Sequence, residues 1–265
     1  MERSRTRSCA RAILRGLFAI IALAPAHAVA APVPNIAAAS DLQFALTEIA
    51  ADFTRDTGGQ IKLVFGSSGN FRRQIAEGAP FELFLSADEE YVAALAKESR
   101  TEDAGVRYAT GRVVLFAATD SPLQPDAALA DLKSAVTDGR IRHFAIANPE
   151  HAPYGRAARE ALQKAGLWDA LVPRLVLGEN VLQAAQFATT GGAQGGIIAY
   201  SLVLSPALAG KGTYAMLPAE SHTPLHQRMV LVKGAGPTAR EFYRYLQEQP
   251  ARAAFARAGF ALPGQ

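Results

Sequence analysis

Short apolar runs alternate with segments of helical period along most of the chain. Residues 36–39 (IAAA) are an unbroken apolar run, the pattern of a strand covered on both faces. Ser40 follows, with Gln43 three residues on, which is a capping-box spacing. Leu42, Ala45, Leu46, Ile49 and Phe53 then recur at helical intervals until Gly58-Gly59 ends the segment. Residues 61–65 form a second strand, and Gly66-Ser67-Ser68-Gly69 opens a second helix that closes near Gly78. Residues 81–85 are a third strand, and Ser86 with Glu89 makes another capping box before EEYVAALAKE.

Residues 111–118 (GRVVLFAA) read as one long apolar strand, after which the alternation repeats. Helices are predicted at 127–136, 155–165 and 182–189, with strands at 144–147, 175–177 and 197–200. A strand in QRMVLVKG follows. Thr238 with Glu241 then caps two helical pieces separated at Pro250. Strand–helix alternation of this kind builds a mostly parallel sheet flanked by helices. Two such units predict an α/β chain with two lobes. The chain crosses at 111–118 and returns near 226–232, so residues 32–112 with 228–265 form lobe 1 and 113–227 form lobe 2. Ligands of open α/β sheets bind beyond the carboxyl ends of strands, so the cleft between the lobes is the expected site.

Charge changes this picture only at the start of the chain. Arg3, Arg5, Arg7, Arg11 and Arg15 precede an apolar run at 17–23 and the small-residue signals AHA and AVA. That order is that of a secretory signal peptide, so residues 1–31 are expected to direct export and be removed. Five arginines against Glu2 give this segment +4, which leaves −1 of the total +3 for the rest. The basicity therefore carries no indication of nucleic acid. Cys9, the single cysteine, lies in the same segment, so the remainder has neither disulfide nor thiol chemistry.

Three junctions carry candidate chemistry. Ser40 follows the first strand, Ser67 and Ser68 follow the second, and Tyr154 in NPEHAPYG precedes a helix. Helix starts offer backbone N–H groups without intrahelical partners and a partial positive charge of about half a unit. Serine hydroxyls beside them, with Gly66 and Gly69 allowing close approach, make an anion cage of neutral donors. Each position also has a plainer reading: Ser40 as an N-cap, Tyr154 as a packed aromatic, Arg72-Arg73 as a solvated face. GSSGN is one residue short of a nucleophile elbow and lacks the lysine of a phosphate-binding loop. His222 and His226 are separated by Pro224, so no metal-cation ligands are expected.

The segments IAAASDLQFALTEIAADF, FGSSGNFRRQIAEGAPFELFLSAD, IANPEHAPYGRAAREALQKAGLWD and FYRYLQEQPARAAFARAGF resemble the periplasmic molybdate-binding proteins, soluble receptors of molybdate ABC importers. The resemblance implies a type II periplasmic-binding-protein fold, with molybdate or tungstate held in the cleft. It implies an inner-membrane ABC permease as partner, a monomer, no cofactor and no enzyme activity. The family's ligand positions fall on Ser40, Ser68 with Ser67 beside it, Tyr154, and Val181 through its backbone N–H. Some members use a tyrosine hydroxyl at the strand end where Tyr200 stands, others one at the position of Tyr154. GGIIAYS has one residue too many before Tyr200, so the Tyr154 hydroxyl is the expected donor. Asp41 departs from the family pattern and is expected to contribute its N–H with its carboxylate turned away. Another oxyanion, or a small organic acid, is the alternative ligand; a serine hydrolase pairing Ser68 with His151 is the alternative chemistry.

Overall fold

A computed structural model describes residues 32–264, so the expected signal peptide lies outside the described residues. In chain order the first strands are β1 (Asn35–Ala39), β2 (Lys62–Gly66), β3 (Phe81–Ser86), β4 (Val106–Gly111) and β5 (Val113–Ala118). They are followed by β6 (Phe144–Ala147), β7 (Leu175–Gly178), β8 (Gly196–Ala199), β9 (Gly212–Met216) and β10 (Leu225–Leu231). The helices are α1 (Gln43–Thr57), α2 (Ser68–Ala76), α3 (Glu89–Lys97), α4 (Ala130–Thr137) and α5 (Pro153–Lys164). The later ones are α6 (Trp168–Leu171), α7 (Val181–Thr189), α8 (Tyr200–Val203), α9 (Pro237–Tyr245) and α10 (Gln249–Arg257). None is long and apolar enough to cross a membrane.

The strands form two five-stranded sheets, ordered β2-β1-β3-β10-β4 and β7-β6-β8-β5-β9. In the first, β1 runs parallel to β2 and β3, and β10 runs antiparallel to β3 and β4. In the second, β6 runs parallel to β7 and β8, and β5 runs antiparallel to β8 and β9. The two lobes therefore share one topology, although no sequence repeat announces it. Parallel neighbours need crossover helices, and these cover the faces of the sheets. In the first lobe Phe71 and Ile75 of α2 pack with Phe84 and Val92 on one side. Leu46 and Phe53 of α1 pack with Phe242 and Phe255 on the other. Ile36–Ala39 is buried throughout, and its three alanines let the covering helices approach closely.

Several boundaries differ from the sequence reading. The run 111–118 is two strands in different sheets, parted by Arg112 alone. Strand β4 escaped notice because the exposed Arg107 and half-buried Thr110 break its apolar character. Arg112 is the first passage between the sheets, and residues 217–224 between β9 and β10 are the second. Its guanidinium donates to the Gly259 carbonyl at 2.8 Å and lies 5.1 Å from the centre of the Tyr200 ring. The capping boxes are also corrected. Ser40 opens a 3-10 turn, Ser40–Leu42, without capping it. Asp88, not Ser86, caps α3 by accepting from Glu90 N–H at 2.7 Å. Helix α9 begins on Pro237, whose fixed φ suits a first helical position, with no side-chain cap from Thr238.

Phe53 ties the carboxyl-terminal helices to α1. It is fully buried, with its ring 5.0 Å from that of Phe242 and 5.4 Å from that of Tyr245. Phe53→Ala is expected to lower unfolding free energy by about 3–5 kcal/mol, measured by urea denaturation. A loss below about 1 kcal/mol would show that this seam contributes little.

Candidate functional site

Four helix starts face one gap between the lobes. The 3-10 turn at Ser40 follows β1, α2 follows β2, α5 follows β6, and α7 follows β7. These are the two equivalent parallel strands of each lobe, so the shared topology brings their carboxyl ends together. The pocket there, with an empty volume of about 190 Å³ that includes open solvent, is lined by Ser40, Asp41, Ser67, Ser68, Tyr154 and Val181. Ala39, Gly66, Ala87, Ala152, Pro153 and Asn180 complete the wall. None of the six expected residues is more than 5% exposed.

The hydroxyls of Ser40 and Ser68 are oriented by what they accept. Ser68 Oγ accepts the Ala87 N–H at 3.0 Å, and Ser40 Oγ accepts the Leu182 N–H at 3.4 Å. Neither hydroxyl hydrogen has an acceptor among the described residues, so each is free to donate into the cavity. Asn180 caps α7 by accepting from the N–H groups of Leu182 and Gln183, both at 3.1 Å. The Val181 N–H is left over, and Val181 lines the pocket. Pro153 brings no N–H to the start of α5, so Tyr154 carries the first one.

Ser67 is engaged differently. Its Oγ donates to the His151 carbonyl at 2.5 Å, and the His151 Nδ1 lies 3.0 Å from the same Oγ. Because the hydroxyl hydrogen goes to the carbonyl, Nδ1 carries the proton in this contact. Gly69 N–H donates to the same carbonyl at 3.0 Å. A Cβ on Gly69 would stand 2.5 Å from that oxygen, so only glycine allows this contact between lobes. His151 is therefore partnered with Ser67, across from a helix start, and not with Ser68 as a hydrolase would require.

Tyr154 also departs from expectation. Its hydroxyl donates to Asp41 Oδ2 at 2.9 Å and is therefore engaged, while its backbone N–H, in the first turn of α5, has no hydrogen bond among the described residues. Gln227 Nε2 donates to the same Oδ2 at 2.6 Å. The Asp41 carboxylate is thus drawn toward these two donors, although its Oδ1 is buried without a partner. Tyr200 stands apart from the cavity. It opens α8 instead of closing β8, and its half-buried ring packs against Tyr214 and Arg112. Sequence reasoning missed Gln227. The sequence holds no signal for it, because only the structure shows Gln227 fully buried in its strand, where an uncharged polar residue needs partners.

Burial raises the Asp41 carboxyl to about 6, against the lowering pull of Gln227, Tyr154 and the N–H groups of Asp41 and Leu42. From about pH 4 to about pH 6 the unfolded chain has released this proton while the folded chain still holds it. Stability of the folded chain therefore falls as pH rises through that window, by about 3 kcal/mol in all. Asp41→Asn is expected to lack this fall. Urea unfolding of both proteins at about pH 4 and about pH 7 measures it, and equal declines would exclude Asp41 as the source.

The chain has clear relatives. Residues 34–261 match the family model described as bacterial extracellular solute-binding protein. The molybdate-binding protein ModA of Rhodobacter capsulatus is 42% identical over 204 residues, covering 74% of this chain and 75% of that protein. ModA of Azotobacter vinelandii is 35% identical over 232 residues, covering 86% of this chain and 89% of that protein. The solved periplasmic molybdate-binding protein of Azotobacter vinelandii superposes with a TM-score of 0.78 at 29% identity, covering 87% of this chain and 99% of that one. The cavity between two lobes of equal topology and the match over nearly all described residues together place this chain among the bacterial extracellular solute-binding proteins, in the ModA family of type II periplasmic-binding-protein fold, a family of binding proteins and not of enzymes.

Proposed function

We propose that the chain is an exported monomeric receptor that closes on molybdate or tungstate and delivers it to an inner-membrane ABC permease. The observation that carries this reading is the pair of serine hydroxyls, Ser40 and Ser68. Each accepts an N–H from the protein and keeps its own hydrogen for a ligand inside a buried cavity. Molybdate is a tetrahedral dianion that bears no proton at neutral pH and can only accept hydrogen bonds. The N–H groups of Tyr154 and Val181, at the starts of α5 and α7, add donors from the second lobe with the favourable end of each helix dipole. Hydrogen bonds to a charged acceptor contribute about 1.5–3 kcal/mol each. Two donors from each lobe mean that the ligand completes its coordination only when both lobes are in place.

Binding then proceeds by loading one lobe and closing the other onto it, a hinge motion at Arg112 and 217–224. Sulfate has the same charge and a smaller radius, so cage size distinguishes it. Hydrogen phosphate brings a proton that needs an acceptor. The partnerless Oδ1 of Asp41 is the one feature that favours a protonated oxyanion as a second reading. Calorimetric titration of oxyanion-free protein with molybdate, tungstate, sulfate and phosphate separates the two. Heat with phosphate and none with molybdate or tungstate overturns the first.

Ser68→Ala is expected to weaken molybdate binding by about 1–3 kcal/mol, and unchanged affinity would remove Ser68 from the site. Gly69→Ala places a methyl against the His151 carbonyl and is expected to weaken binding by about 1–3 kcal/mol through incomplete closure. The same titrations read both. Wild-type affinity in Gly69→Ala would show that the contact between Gly69 and His151 plays no part in closure.

A further inference from the structure

A buried chain of hydrogen bonds crosses from one lobe to the other beside the cavity. Tyr108 on β4 donates its hydroxyl to Gln227 Oε1 at 2.7 Å. The orientation of the Gln227 amide follows from its other neighbour, because a carboxylate oxygen only accepts and so faces Nε2, leaving Oε1 to accept from Tyr108. Gln227 Nε2 then donates to Asp41 Oδ2 at 2.6 Å. Tyr154, from the second lobe, donates to the same oxygen at 2.9 Å, and its hydroxyl oxygen lies 3.4 Å from Gln227 Nε2. Tyr108, Gln227, Asp41 and Tyr154 are all buried, and two donors, Gln227 Nε2 and the Tyr154 hydroxyl, meet on one carboxylate oxygen. The Asp41 carbonyl is held as well, accepting from the Ser201 hydroxyl of the second lobe at 2.8 Å.

The hydroxyls of Ser40 and Ser68, proposed above for the ligand, take no part in these side-chain bonds. Tyr154 sits at the start of α5, and its own N–H is among the donors assigned to the ligand. Asp41 follows Ser40, whose hydroxyl is another. One bond between Tyr154 and Asp41 therefore fixes the distance between a donor of each lobe. We propose that Asp41, oriented by Gln227 and Tyr108, clamps Tyr154 across the cleft and so positions the start of α5 on the ligand. Asp41 and Gln227 act here as positioning residues, and the inference rests on the reading of the cavity as an oxyanion site. Gly111 belongs to the same device. A Cβ there would stand 2.3 Å from the Tyr154 hydroxyl and 2.9 Å from Gln227 Nε2, so the clamp fits only against a glycine.

The test is a double-mutant cycle on molybdate release, followed by retention of labelled molybdate on the protein after dilution. Tyr154→Phe removes only the hydroxyl and is expected to speed release about tenfold or more. Asp41→Ala is expected to do the same, and the double variant is expected to release no faster than Asp41→Ala alone. Gly111→Ala leaves every polar group of the clamp in place and displaces Tyr154 by crowding, and it too is expected to speed release. A merely structural role would lower the thermal midpoint of the ligand-free variants and leave their release rates uncoupled. Additive effects in the cycle, or wild-type release in Tyr154→Phe and Gly111→Ala, overturn the clamp while molybdate binding itself stands. Wild-type protein that takes up neither molybdate nor tungstate overturns the underlying reading, and the clamp with it.

Discussion

The structure turns on helix starts that are buried. A helix leaves its first N–H groups without internal partners, and in a wet loop water answers them. Here the starts at Ser40, Ser68, Tyr154 and Val181 converge on one pocket and are themselves buried, where an unanswered donor carries a desolvation cost. The protein answers some of them itself. Asn180 serves two groups of α7, and the His151 carbonyl serves Gly69 of α2. The donors that remain define the chemistry of the space, which favours an acceptor carrying negative charge.

Asp41 sharpens that logic because it is the wrong sign for such a space. A carboxylate inside an anion site repels the ligand unless its charge is met elsewhere. Gln227 and Tyr154 meet it on Oδ2, and burial leaves the group easier to protonate than an ordinary aspartate. Placing an acid here therefore requires three further polar residues, Gln227, Tyr154 and Tyr108, whose burial would otherwise be unfavourable. The group holds Oδ2 as a network and leaves Oδ1 without a partner, and its members come from β4, β10, α5 and the turn after β1.

Much of this was legible in the sequence, for particular reasons. The apolar runs of β1 and β6 stood out because strands covered on both faces are apolar without interruption. The serines at the helix starts stood out because small polar residues between a strand and a helix mark close approach. What escaped depends on partners distant in sequence. Strand β4 lies at the edge of its sheet and carries exposed residues, so its pattern is weak. The engagement of the Tyr154 hydroxyl depends on a residue 113 positions away, and that of Gln227 with Asp41 on one 186 positions away. The separate roles of Ser67 and Ser68, adjacent and chemically identical, follow from which of them meets His151 and which meets Ala87. Spacing alone carries none of these pairings.

The two connections between the sheets differ greatly in length. One is a single residue, Arg112, held by its guanidinium on the Gly259 carbonyl and against Tyr200; the other is the eight-residue stretch 217–224. A one-residue tether permits rotation and forbids sliding, whereas a long one yields in every direction. The lobe closure proposed above is thereby reduced to swinging about the short tether, as a door swings on its jamb. In that proposed closure, travel is then least beside Arg112 and grows with distance from it, so one backbone link sets the path along which the two walls meet.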